Sequence, residues 1–177
     1  MKSLSLMPAN RQEMNPGSDN DSKLPIKVAL VDDDHNELAL MTRAMAQSPD
    51  LETVGSFNSG LEALKGIPSS ASEVVLMDVR MPGRSGIETT KRLKDVRPSL
   101  FIIMISGFDD PHTAERAREA GADAFLIKPL SLGRFFEALV HHREKGHHSK
   151  QRGEVRSLAR RQDITRKLIR GLALAGL

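Results

Sequence analysis

Five short apolar runs, each followed by a stretch with helical period, recur through the middle of this chain. IKVALV (26–31), LETVGSF (51–57), EVVLM (73–77), FIIMI (101–105) and AFLI (124–127) have strand length, and most lack the apolar–polar alternation of a strand with one wet face. After the first, Asp34 caps a helix whose apolar stripe holds Leu38, Met41 and Met45, with Leu40 and Ala44 beside it, stopped by Ser48 and Pro49. Asn58 or Ser59 caps LEALKGI, which ends at Gly66 and Pro68, and IETTKRLKDV (87–96) stops before Pro98. PHTAERAREAGA carries proline in its first turn and Gly121 as its C-cap, and SLGRFFEALVHHRE (131–144) closes the series. Strands buried on both faces and joined through helices must run parallel, because right-handed crossovers lay the helices over the two faces. The pattern predicts an α/β fold: a flavodoxin-like, doubly wound, five-stranded parallel sheet with helices on both faces. FIIMI, the most apolar run, is expected at its centre.

With 177 residues and 39% hydrophobic side chains, the chain can bury one ordinary core. The domain is expected over residues 25–145. Residues 1–24, with Pro8, Pro16, Gly17 and the cluster SDNDS, have no sustained period and read as a disordered tail. GHHSKQRG (146–153) reads as a linker, and residues 154–177 as a basic amphipathic helix with Ile164, Leu168, Leu172 and Ala175 on one stripe. From His141 onward ten basic residues face three acidic ones, which makes that region +7 and leaves −4 for residues 1–140 of a total of +3. The two parts are expected to meet different partners.

No apolar run reaches the roughly 18 residues of a membrane helix, and no secretory h-region follows Lys2. No membrane is expected as a partner. The absence of cysteine excludes disulfides, thiol catalysis and cysteine-ligated metal, and the cytoplasm is the expected compartment. His141, His142, His147 and His148 lie at a helix end and in the linker with no ligand partner at fixed spacing, so they read as solvated.

The third run delivers a lone carboxylate, Asp78, to a loop broken by Pro82, Gly83 and Gly86. Open α/β sheets place their sites at that carboxyl edge, where the first and third strands end side by side. Asp32 and Asp33 follow the first strand, so three carboxylates are expected to converge. Like charges that close resist joint ionisation unless a cation neutralises them, and an all-oxygen donor set suits Mg2+. A carboxylate beside such an ion can attack phosphorus. Lys128, after the last strand, would add a positive charge, and Ser106, ending the fourth, a hydroxyl.

VDDD (31–34), MDVRMPGRSGIE (77–88), MIS (104–106) and FLIKP (125–129), in this order and spacing, resemble the receiver domain of bacterial two-component response regulators. The resemblance covers about residues 26–145. It implies that Asp78 accepts a phosphoryl group from a sensor histidine kinase, and that Asp32, Asp33, Asp78 and the backbone carbonyl of Arg80 hold Mg2+. It further implies that Lys128 and Ser106 contact the phosphoryl group, that Lys128–Pro129 is a cis peptide, and that Ser106 and Phe125 form the switch. A change in the surface of the fourth helix, fifth strand and fifth helix follows, with a homodimer through that surface as a candidate assembly. Phe125 stands where many members have tyrosine. Arg80 and Phe108 flank the site and are expected to govern the access of water.

The resemblance implies a phosphoacceptor switch that assists its own phosphotransfer and dephosphorylation, not a turnover enzyme. LARRQDITRKLIRGL is also faintly similar to the first helix of the output domains of LuxR-type regulators. The alternative reading is therefore a DNA-binding transcriptional regulator with its output domain truncated at Leu177, and the basic region is a candidate contact for nucleic acid. A solvated or partner-binding helix is the plainer reading of the same residues. An aspartyl-phosphate hydrolase of similar topology would want a second aspartate two residues after the nucleophile, where this chain has Arg80.

Overall fold

A computed structural model describes residues 24–145. The expected linker (146–153) and basic helix (154–177), and all of the expected tail but Leu24, lie outside the described residues. Five strands and five α-helices alternate: β1 (Ile26–Val31), α1 (His35–Met45), β2 (Leu51–Phe57), α2 (Gly60–Gly66), β3 (Val74–Asp78), α3 (Gly86–Val96), β4 (Phe101–Ser106), α4 (Pro111–Glu119), β5 (Ala124–Ile127) and α5 (Leu132–Lys145). A short 3-10 turn, Ile67–Ser69, extends α2 where Pro68 prevents a further helical turn.

The helix starts follow side-chain chemistry. Asp34 accepts from the Asn36 N–H, Ser59 from Glu62, Ser85 from Glu88, and Asp110 from His112 and Thr113. Each satisfies a backbone donor that has no partner within its helix. The hydrogen bonds from Thr113 and its neighbours hold the Asp110 carboxyl below the usual carboxylate range. At the other end of α4, Gly121 takes φ +93°, a conformation open to glycine at little cost.

All strands pair in parallel in the order β2-β1-β3-β4-β5. The order reverses between β1 and β3, which opens a crevice at their carboxyl ends. β3 is the central strand, and β4, expected there, lies one place to the side between β3 and β5. Both inner strands are wholly buried, so apolarity reports two covered faces and cannot separate the middle strand from its neighbour.

Strand alternation sorts the core into two layers. Val28, Leu30, Val74, Leu76, Ile103 and Ile105 pack under Leu38, Met41 and Met45 of α1 and Phe135 and Phe136 of α5. Ala29, Val31, Val75, Met77, Ile102 and Met104 pack under Ala63 of α2, Leu93 of α3 and Ala117 of α4. Fully burying each large aliphatic side chain contributes roughly 1.5–3 kcal/mol, which makes this packing the main support of the sheet edge above it. Leu40, expected beside the α1 stripe, is exposed instead. It lies about 100° around the helix from Met41 and so turns away from the sheet.

The amino-terminal edge of the sheet is pinned separately. Arg97 donates to the carbonyls of Ile67, Ser70 and Ser72, and Lys94 pairs with Asp123 at 2.6 Å while Asp123 also accepts from the Ile102 N–H. These contacts fix the ends of α3 and β4 far from the carboxyl edge, where the loops carry the reactive groups.

Candidate functional site

Asp78 is the last residue of β3, 7% exposed, and Asp32 follows β1 at 2% exposure. Lys128, just past β5, bridges them: its Nζ lies 2.7 Å from Asp32 Oδ2 and 2.9 Å from Asp78 Oδ1. The remaining oxygens are also paired, Asp32 Oδ1 with the Asp34 N–H at 2.9 Å and Asp78 Oδ2 with the Arg80 N–H at 2.6 Å. Two buried carboxylates are thus held by one ammonium and two backbone donors, an arrangement that meets the hydrogen-bonding demand of buried charge.

Burial pushes the Asp78 carboxyl above its ordinary value, and the negative charge of Asp32 adds to this, while Lys128 and the Arg80 N–H oppose it. Burial acts downward on Lys128, but its bonds to Asp32 and Asp78 outweigh that and hold the ammonium above the usual lysine range. Lys128 is therefore a fixed positive charge at the crevice.

Asp33 does not join this group. Asp32 directly follows β1 and is buried in the crevice, whereas Asp33 sits in the bend that follows and is exposed. It lines a neighbouring cleft of about 510 Å³ together with Arg80, Met81, Pro82, Ser85, Thr113 and Arg116. Among the described residues no three acidic or histidine side chains are gathered closely enough to hold a metal ion as they stand. The donor chemistry nevertheless suits Mg2+, which keeps several waters and asks for only one or two carboxylates. The ammonium between Asp32 and Asp78 marks the place where those carboxylates demand a cation.

Ser106 ends β4, is buried, and its Oγ accepts from the Phe108 N–H at 3.1 Å. The backbones of β4 and the Lys128 segment meet here, Lys128 N–H donating to the Ser106 carbonyl at 2.8 Å. The Lys128–Pro129 peptide is cis. Phe125 on β5 pairs in register with Met104 and packs, half-buried, against the layer under α2, α3 and α4. Arg80 and Phe108 meet: the guanidinium carbon sits 3.9 Å from the ring centroid, a cation–π contact, and the ring is 61% exposed.

The loop after Asp78 depends on one close approach. Gly86 donates to the Val79 carbonyl at 3.0 Å, and a Cβ at Gly86 would run into the Asp78 carbonyl and the Met77 side chain. We predict that Gly86→Ala costs about 1–3 kcal/mol, as overpacking against backbone does, read as a lowered urea midpoint. An unchanged midpoint would show that α3 shifts without cost.

One participant escaped the sequence reading. Glu37, in the first turn of α1, has its Oε2 3.7 Å from Lys128 Nζ. Asp34-His35-Asn36-Glu37 has the spacing of a helix capping box, which points to a local role and masks this contact across the crevice. The stacking of Arg80 on Phe108 was equally hidden, since each was visible only as a residue beside the site.

A doubly wound sheet with a buried carboxylate pair and a lysine at its switch point defines a receiver-type signalling module. The sequence model of the response regulator receiver domain matches residues 28–140, and the chain belongs to that family. It is similar to Response regulator GacA of Pseudomonas syringae pv. syringae, 32% identical over 64% of this chain and 53% of that protein. Transcriptional regulatory protein PdtaR of Mycobacterium tuberculosis is 32% identical over 87% of this chain and 74% of its own length. The chain spans about half the length of GacA and of the Escherichia coli transcriptional regulatory protein UhpA, to which it is 38% identical. Among solved structures, the receiver domain of NarL from Mycobacterium tuberculosis superposes with a TM-score of 0.62 at 25% identity, covering 69% of this chain and 98% of that one. The BeF3-activated DrrB receiver domain gives 0.57 at 28% identity, over 69% and 100%. The described residues contain no helix long and apolar enough to cross a membrane.

Proposed function

We propose that this chain is a phosphoacceptor switch in which Asp78 takes a phosphoryl group from a phosphohistidine of a sensor kinase. The observation that carries the reading is the Lys128 ammonium seated between buried Asp32 and Asp78. A carboxylate oxygen of Asp78 forms the new O–P bond as the N–P bond to the imidazole breaks, and the imidazole leaves with the electron pair. Lys128 stabilises the charge on the transferring group, as a preorganised cation does in a water-poor site. Asp32, Asp78 and the Arg80 carbonyl would hold Mg2+, which when bound neutralises the phosphoryl oxygens, with Asp33, which lines the adjoining cleft beside Arg80, turned in or bound through one of the ion's waters.

Phosphorylation changes one negative charge at Asp78 into about −1.5 to −2 and adds acceptor oxygens. The Ser106 hydroxyl, buried beside the site, turns toward them, and the half-buried Phe125 ring moves into the space released. The surface of α4, β5 and α5 then differs between the states, and a homodimer through it is one readout. The shift in population equals the difference in how the two states hold the phosphoryl group. The DrrB receiver domain, described as BeF3-activated, supports activation of a receiver of this fold by such a group.

The module switches and does not turn over a substrate. An aspartyl-phosphate hydrolase of similar topology would want a second aspartate two residues after the nucleophile, and Arg80 occupies that position with its guanidinium stacked on Phe108. The output is regulatory and the compartment is the cytoplasm. The names of UhpA and PdtaR support transcriptional regulation as that output.

The test is incubation with acetyl phosphate and MgCl2 followed by intact-mass measurement. One added phosphoryl group is expected with Mg2+ and none with excess chelator; no added mass in either sample would sink the reading. Arg80 and Phe108, two residues past Asp78 and Ser106, stack on each other, and in this reading the pair limits attack by water. Arg80→Ala is expected to lose its label faster than wild type once the donor is removed, and an unchanged decay would leave the pair with no part in protection.

A further inference from the structure

The switch reading leaves Glu37 without a task. It lies in the first turn of α1, and its side chain is 38% exposed where that of Lys128 is 20% exposed. All four oxygens of Asp32 and Asp78 already accept from a donor, two of them from Lys128. A cation that coordinates this pair competes with the ammonium, because Lys128 already lies against one oxygen of each carboxylate and its positive charge repels a second cation there. The displaced ammonium would then face a second cation at close range with its former partners engaged. Glu37 is the third carboxylate within reach of Nζ, at 3.7 Å, and the more solvated one.

We propose that Glu37 is a positioning residue that gives Lys128 a second seat, so that Asp32 and Asp78 release oxygens to Mg2+ without leaving the ammonium unpaired. The inference rests on the reading that this carboxylate pair holds Mg2+. The ammonium then pairs with Glu37 of α1 while the two aspartates engage the cation. Glu37 thus sets how readily the metal binds.

A partly exposed ion pair of this kind is worth up to about fivefold in a binding constant. Calorimetric titration of the full chain with MgCl2 at fixed ionic strength tests it in wild type, Glu37→Gln, Lys128→Met and the double variant. Glu37→Gln is expected to weaken Mg2+ binding about fivefold in the presence of Lys128, and by less than about twofold in its absence. Equal affinity of wild type and Glu37→Gln overturns the proposal. So does a fivefold loss that persists without Lys128, since Glu37 would then attract the metal directly. If Lys128→Met does not fold, Lys128→Gln, which keeps a hydrogen-bond donor for the two aspartates, takes its place in the cycle. Absence of any Mg2+ binding by wild type would overturn both this proposal and the reading beneath it, whereas a normal wild-type titration with no effect at Glu37 overturns the proposal alone.

Discussion

Asp78→Asn will take up no phosphoryl group from acetyl phosphate and Mg2+ under conditions that label wild type, and it will be at least as stable as wild type at neutral pH. The first part follows from chemistry, because an amide oxygen is a poor nucleophile and its phosphoryl adduct has no stable form. The second follows from the direction of the Asp78 pKa. Burial, the largest influence, holds the folded value above the ordinary 3.8, against the pull of Lys128. A raised carboxyl pKa means that the folded state favours the proton; the resulting stability is present in acid and is lost as pH rises through the folded value. At neutral pH the ionised group is therefore a cost, and a neutral side chain of the same shape removes it. Loss of labelling together with a raised or equal urea midpoint separates missing chemistry from a broken fold. Labelling of Asp78→Asn at the wild-type level would remove Asp78 from the reaction.

Lys128→Met is expected to have the opposite balance, damaging both chemistry and stability. It leaves Asp32 and Asp78 buried and facing each other with only backbone donors. Removing one partner of a buried ion pair costs about 3–5 kcal/mol, and with Lys128 one-fifth exposed we expect about 2–4 kcal/mol here. Added MgCl2 is expected to raise the unfolding midpoint of Lys128→Met more than that of wild type, because the cation then fills a charge deficit that wild type fills with its own ammonium. The rate of labelling falls by about 100-fold or more, the usual size for loss of one preorganised group facing developing charge. Wild-type stability in Lys128→Met, with no response to Mg2+, would show that the aspartates are neutralised by some other route.

The fold could be read because parallel strands covered on both faces leave continuous apolar runs, and because Asp34, Ser59 and Pro111 mark helix starts by local chemistry. Strand order at the centre was less legible. β3 and β4 are equally buried, and only the crossover through β1 decides which is the middle. At the site, Asp32, Asp78 and Lys128 stand at strand ends, and the topology brings strand ends together. Asp33 differs because it lies in the bend beyond β1, where the strand pattern no longer fixes a side chain's direction, and it lines the adjoining cleft. Glu37 and the Arg80–Phe108 stack depend on side-chain conformations across separate loops, for which neither spacing nor composition carries a signal.

The central claim is that the phosphoryl group resides on one residue, and its chemistry allows that residue to be located. Borohydride reduces an aspartyl phosphate to homoserine, so labelled protein can be reduced, digested and sequenced by mass spectrometry. The account predicts homoserine at position 78 and at no other aspartate. Homoserine at position 32, 33 or 109, or stable label that resists borohydride, would contradict it.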